Sequence, residues 1–279
     1  MDCYNNEESV DMEFNMKIKT LINWKLFSIL LVACVLGAML VIPYTLTLTS
    51  SQVEITPVRL LVSIAQNLVL FAIATFFGLF FSKRISMGMT GLKLPILEGA
   101  LEGKNQASEL RVILLPSIAL GLLAGVLIIV LDIPFQKVLP EMQNAEISIP
   151  AWKSILASFY GGIAEEVLLR LFMVSLLVWI GFKIKKTQEG RPTDIGIWLA
   201  IILASVLFGL GHLPATARII ALTGPVVIRA IVLNGIGGII FGWLYWKKGL
   251  ESAMIAHFSA DIVLHVITPF VASLFMGTN

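Results

Sequence analysis

An all-α bundle of membrane-spanning helices is the fold this sequence predicts, and three observations carry the prediction. Hydrophobic residues make up 57% of the 279-residue chain and charged residues only 14%, with a mean hydropathy of +0.90. That is too apolar for a soluble domain of ordinary make-up. The apolar residues come in blocks close to the length that crosses ~30 Å of hydrocarbon as a helix. Basic residues gather in alternate connecting segments, the asymmetry of a polytopic membrane protein. Neither a repeat nor a low-complexity tract interrupts this pattern. Residues 25–279 therefore read as a single transmembrane domain behind a polar segment, 1–24.

That first segment sets Asp2, Glu7, Glu8, Asp11 and Glu13 ahead of Lys17 and Lys19, the wrong order for a secretory signal. Trp24 and Lys25 mark an interface, and residues 26–48 form the first predicted span. The second runs over about 60–82 and the third over about 112–131. Between them, residues 83–111 mix Gly, Pro and charge, which predicts a surface loop with a short interfacial helix around 95–103. A further loop, 133–150, ends at Pro150. Spans at 152–182, 195–212, 225–246 and 250–275 complete a count of seven, and the broken stretch after His212 leaves room for an eighth. With a cytoplasmic N-terminus, Lys17, Lys19, Lys25, the cluster from Lys83 to Arg111, Lys183, Lys185, Lys186, Arg191, Lys247 and Lys248 all fall inside. These are most of the 20 basic residues. A multi-pass protein with its N-terminus in the cytoplasm and, for seven spans, its C-terminus outside is expected. Cys3 lies in the polar segment and Cys34 in the first span, so neither a disulfide nor a redox role is expected.

Chemistry concentrates in the fourth span. Gly161-Gly162-Ile163-Ala164-Glu165-Glu166-Val167-Leu168-Leu169-Arg170 sets two acids and a guanidinium inside a run otherwise apolar enough to cross a membrane. A charged side chain at that depth costs roughly 2.5–3.5 kcal/mol on insertion scales, so these three need partners or a polar cavity. All three histidines also fall in apolar segments: His212 closes Phe208-Gly-Leu-Gly-His212, and His257 opens His257-Phe-Ser-Ala-Asp261, with His265 two turns beyond. Helical residues four apart share a face, so Glu166 neighbours Arg170 and His257 neighbours Asp261. Glu165 points about 100° away from Glu166. One acid can then be locked in an ion pair while the other takes and gives a proton. Gly161, Gly162, Gly209 and Gly211 are expected to let backbones approach closely near these groups. A buried Glu–Arg pair is often merely structural, Phe208 is expected in the core, and His265 has no nameable partner. The combination is what points to function.

Taken in order, Glu-Glu-x-x-x-Arg, Phe-x-x-x-His and His-x-x-x-Asp on successive spans resemble the CPBP intramembrane protease family, which includes the CAAX prenyl endopeptidases and the Abi-type proteins. The resemblance covers 165–261 and implies proteolysis within the membrane, typically near the carboxyl end of a lipid-modified peptide. It further implies that Glu165 and His212 activate a water, that Glu166 pairs with Arg170, and that His257 and position 261 stabilise the oxyanion. Asp261 stands where eukaryotic-type members carry Asn; an ionised carboxylate repels an oxyanion, so Asp261 is expected to orient His257 or to hold a proton. Zinc is a possible cofactor, given Glu and His. With no His-Glu-x-x-His in the chain, a metal-free, cofactor-free glutamate mechanism is the expectation. The expected partners are the bilayer and a lipid-modified or hydrophobic peptide, not nucleic acid. The rival readings are a proton-coupled transporter using buried Glu and His, and a non-catalytic immunity or scaffold protein on the same fold. Chain order also sets a puzzle of depth: His212 falls near the outer end of its span and His257 nearer the inner one. The fourth span, at roughly 46 Å, is long enough to put Glu165 at either level.

Overall fold

The computed structural model describes residues 22–48, 56–86, 91–139 and 149–276; the acidic and basic residues of the first segment, with Cys3, lie outside them. Among the described residues, seven helices are long and apolar enough to cross a membrane, and there are no strands. They are α1 (Trp24–Leu48), α2 (Pro57–Ile85), α4 (Ala107–Val138), α5 (Ala151–Ile184), α6 (Asp194–Thr216), α7 (Gly224–Lys248) and α8 (Leu250–Leu274). The short helix α3 (Pro95–Leu101) sits between α2 and α4, where the sequence predicts an interfacial helix. The stretch after His212 holds one more helical turn, Leu213–Thr216, and no eighth span.

Each helix starts where local chemistry allows it. Asn23, Thr56 and Thr193 accept backbone N–H groups of the first turns of α1, α2 and α6 through their side-chain oxygens, satisfying donors that a helix N-terminus leaves orphaned. Pro57 and Pro95 stand at the first turns of α2 and α3, where a missing N–H costs nothing. At Val41 α1 breaks its regular winding and continues as Ile42–Leu48.

Packing makes α5 the central helix, in contact with α1, α2, α6, α7 and α8. Its buried side is built of small and branched residues, among them Ser158, Gly161, Gly162, Ala164, Val167, Leu171 and Val174. Lipid tails are as apolar as leucine, so such helices associate through close van der Waals approach and interhelical hydrogen bonds rather than through the hydrophobic effect. The α4–α8 seam shows both. Gly121 and Gly125, four apart on α4, press against Ala256–Ser259 and Ala260–Val263 of α8, and one turn away Ser117 and Ser252 share a buried 2.6 Å hydrogen bond. Towards the other end, Asp132 of α4 receives a bidentate bond from Arg229 of α7, at 2.6 and 2.7 Å.

The α3 face closes in a different manner. Leu92 and Leu94 are fully buried. Leu92 adopts φ +60°, a left-handed conformation held by its N–H donating to Tyr245 O at 2.9 Å and by Ser82 Oγ donating to its carbonyl. Lys93 O accepts from Leu250 N at 2.9 Å, and Glu251 Oε1 accepts from Ile96 N and Leu97 N at 3.1 and 2.9 Å. The segment thus buckles over the single-residue link between α7 and α8. That link is Gly249, at φ 105° and ψ 173°, a region essentially closed to L side chains. A Cβ there also overlaps Pro95. Gly249→Ala is therefore expected to destabilise the fold by about 1–3 kcal/mol, read as a lowered thermal midpoint in detergent. An unchanged midpoint would mean that the buckle carries no stability.

Candidate active site

The acidic pair sits where α5 departs from α-helical winding. Regular turns at Ala151–Phe159 give way to wide, i→i+5 turns at Tyr160–Glu165 and Val167–Val174 before the α-helix resumes at Ser175. A third wide-turn stretch, Val263–Ile267, lies in α8 just past Asp261, where Thr268 Oγ1 donates to Val263 O at 2.7 Å. Such turns are rare and concentrate at functional sites. The sequence predicts plain α-helix over all three stretches. The correction has a local cause: α5 and α8 cross so closely at Gly161 that a Cβ there would overlap the Asp261 carboxylate and lie 3.2 Å from His257 Nε2.

Glu166 is the hub of the site. Its side chain is wholly buried, and its Oε1 lies 2.9 Å from Arg170 Nη1 and 2.7 Å from His257 Nδ1. The Glu166–Arg170 pair is as expected from their spacing; the bond to His257, 91 residues away, is not legible in sequence. A carboxylate locked against a guanidinium only accepts, so Nδ1 of His257 carries the shared hydrogen and Nε2 is the nitrogen turned to the reaction side. Glu165 Oε2 and Asp261 Oδ1 both face that Nε2 at 3.7 Å. Arg170 is fixed on its other side by Gly238 O at 3.3 Å, and its guanidinium lies 5.2 and 5.4 Å from the ring centres of Phe208 and Phe241. His257 stacks on Phe241 with ring centres 4.8 Å apart.

His212 bonds within its own helix. Among the described residues it forms no ion pair with Glu165. Its Nδ1 donates to Phe208 O at 2.9 Å, one turn back on its own helix, which points the tautomer logic the same way and leaves Nε2 as the reactive nitrogen. Phe208 contacts both imidazoles: His212 meets its ring edge-on at 4.7 Å and His257 at 5.8 Å. The core phenylalanine is thus the wall shared by both histidines. Tyr44 meets His265 edge-on at 6.1 Å, a partner the sequence does not announce. Of the four glycines expected near the site, Gly161, Gly162 and Gly209 lie against neighbouring helices, whereas Gly211 has nothing within 4 Å of its would-be Cβ. It closes no helix crossing because the regular winding of α6 ends there, ahead of the turn at Leu213–Thr216.

Beside the cluster opens an apolar cavity of about 550 Å3 between α4, α5 and α8, lined by Leu114, Ile118, Phe159, Ile163, Phe258 and Ile262 among others. Gly162 also lines it, while its neighbour Gly161 faces Asp261. The polar and apolar compartments are therefore back to back across one turn of α5.

Residues 147–263 match the model of a protein family described as type II CAAX prenyl endopeptidase, Rce1-like. The match takes in all three motifs and every residue of the cluster. No curated protein and no solved structure matches the chain.

Proposed function

We propose, from the match of residues 147–263 to the Rce1-like, type II CAAX prenyl endopeptidase model, that the chain hydrolyses a peptide bond of a lipid-modified or strongly hydrophobic substrate by activating a water at Glu165. One observation carries the reading: the carboxylates of Glu165 and Asp261 each lie 3.7 Å from the reactive nitrogen of His257, too far for direct hydrogen bonds and the span that a bridging water at ~2.8 Å from its partners fills. Glu165 takes a proton from that water as it attacks the scissile carbonyl. His212, presenting Nε2, assists from the other side of Phe208. The developing oxyanion is met by the Nε2–H of His257 in its doubly protonated form, whose Nδ1–H is donated to Glu166, while Glu166 and Arg170 hold that ring in place and Asp261 orients it. The proton taken by Glu165 then passes to the leaving amine.

His212→Ala is expected to reduce cleavage by about 10²-fold or more with the fold retained. Purified variant cleaving at the parental rate removes His212 from the mechanism. The proposed mechanism is metal-free, with Glu165 as the base; activity that a chelator abolishes and zinc alone restores overturns it.

The apolar cavity supports a substrate with a lipid or apolar portion. A fluorogenic peptide carrying a prenyl chain is expected to be cleaved at least about tenfold more efficiently than its unprenylated twin, the equivalent of ~1.4 kcal/mol of added binding. Equal cleavage of both leaves the cavity without a role in substrate choice.

A further inference from the structure

On the α3 face, α2 and α5 finish side by side, and their last turns read Phe80-Phe81-Ser82-Lys83-Arg84 and Trp179-Ile180-Gly181-Phe182-Lys183. Arg84 lies flat over Phe80, its guanidinium carbon 3.4 Å from the ring centre, and Lys183 Nζ lies 5.6 Å from the centre of Trp179. The rings beneath are joined: Phe80 and Phe81 meet edge-on at 5.3 Å, and Phe81 and Trp179 are 5.0 Å apart. Phe77 stacks on Phe81 at 6.1 Å and carries the seam one turn further from the rim, where both Phe77 and Ile73 are exposed. Two cations thus stand at the rim of one continuous aromatic seam, with exposed apolar side chains below. Among the described residues neither cation is paired with a carboxylate; the ion pairs lie elsewhere.

A cation over an aromatic ring keeps its full charge and is held at a fixed depth. A ligand that neutralises both cations while filling the groove below them must be anionic at one end and apolar at the other. We infer that the α2–α5 seam binds an acidic glycerophospholipid, its phosphate between Arg84 and Lys183 and its acyl chains along Phe77 and Ile73. Guanidinium suits the phosphate, offering two parallel N–H bonds where an ammonium offers a point charge. The end of α7 is the contrasting case: Lys247 lies 3.4 Å over Trp246, but that ring is buried and meets one exposed ring, Trp198, at 5.7 Å rather than a run of joined aromatics.

Trp179 reports on the site directly. The full chain is placed in phosphatidylcholine vesicles doped with phosphatidylglycerol brominated in its acyl chains, and the Trp179→Phe variant is subtracted to isolate the quenching of this one tryptophan. Half-quenching is expected at a much lower mole fraction of brominated phosphatidylglycerol than of brominated phosphatidylcholine. A basic side chain near an acidic lipid surface contributes about 1 kcal/mol, or roughly fivefold. Arg84→Gln with Lys183→Gln is therefore expected to raise the half-quenching fraction about twentyfold, Arg84→Lys to retain most of the preference, and Lys247→Gln to change nothing. Should the double variant not yield monodisperse protein, Lys183→Gln alone, at an exposed position, is expected to shift the fraction about fivefold. Equal quenching by the two lipids overturns the inference, as does a preference that survives loss of both cations. Millimolar inorganic phosphate abolishing the preference would assign the cations to free phosphate instead and equally overturn it.

Discussion

Glu165→Gln is expected to lower peptide cleavage by about 10²–10⁴-fold, the usual contribution of a positioned general base, while the thermal midpoint moves little. The structure separates these effects. Glu165 is one-fifth exposed, and its nearest ionic neighbour, His257 Nε2, is 3.7 Å away, beyond hydrogen-bonding range. Removing its charge therefore breaks no buried bond, and substitutions of that sort usually stay within about 0.5 kcal/mol. The measurement is cleavage of a prenylated peptide by the purified variant beside its thermal unfolding in the same detergent. Parental cleavage would falsify the assignment of Glu165 as base. Loss of activity accompanied by a collapsed midpoint would mark it as a structural acid instead.

Arg170→Ala is expected to show the opposite pattern, with the largest effect on folding itself. Arg170 is 2% exposed and Glu166 wholly buried. Truncating one member of a buried pair leaves the other charge uncompensated, at a cost of about 3–5 kcal/mol. Replacing both by apolar residues of similar volume, Arg170→Met with Glu166→Leu, removes the stranded charge, and much of the lost stability is expected to return. Activity is not, because the double variant leaves His257 Nδ1 without the acceptor that fixes its ring. A double-mutant cycle on thermal midpoints, run with a cleavage assay, reads both. A double variant as unstable as Arg170→Ala would mean that the pair stabilises through packing alone.

How far this arrangement could be read without coordinates depended on the range of each interaction. The spans were legible because each is a local composition: the described helix α4 covers the predicted 112–131, and α5 the predicted 152–182. Glu166 with Arg170, and His257 with Asp261, were legible because four residues are one helical turn. The bond from His257 to Glu166 was not, since the two lie 91 positions apart and nothing in either motif says which acid of the pair faces α8. A 100° rotation rule assumes α-helical winding, and α5 abandons it at Tyr160. Two adjacent glycines beside paired acids were the visible hint of that close crossing. The pairing of Asp132 with Arg229 and the docking of Glu251 on α3 escaped notice for the same reason: each joins helices remote in sequence.

The wide turns of α5 make the aim of its acids a matter of residue number as much as of residue type. Each such turn accommodates surplus backbone within an otherwise regular rod. Excising Ile163 lets the rod rewind, and everything on its N-terminal side then swings by about 100° relative to Glu165. Every side chain of the three motifs survives such an excision, yet Tyr160 takes over the place where Gly161 now admits the Asp261 carboxylate. A chain that keeps all its signature letters and loses one spacer is thus expected to insert into the membrane and remain inert.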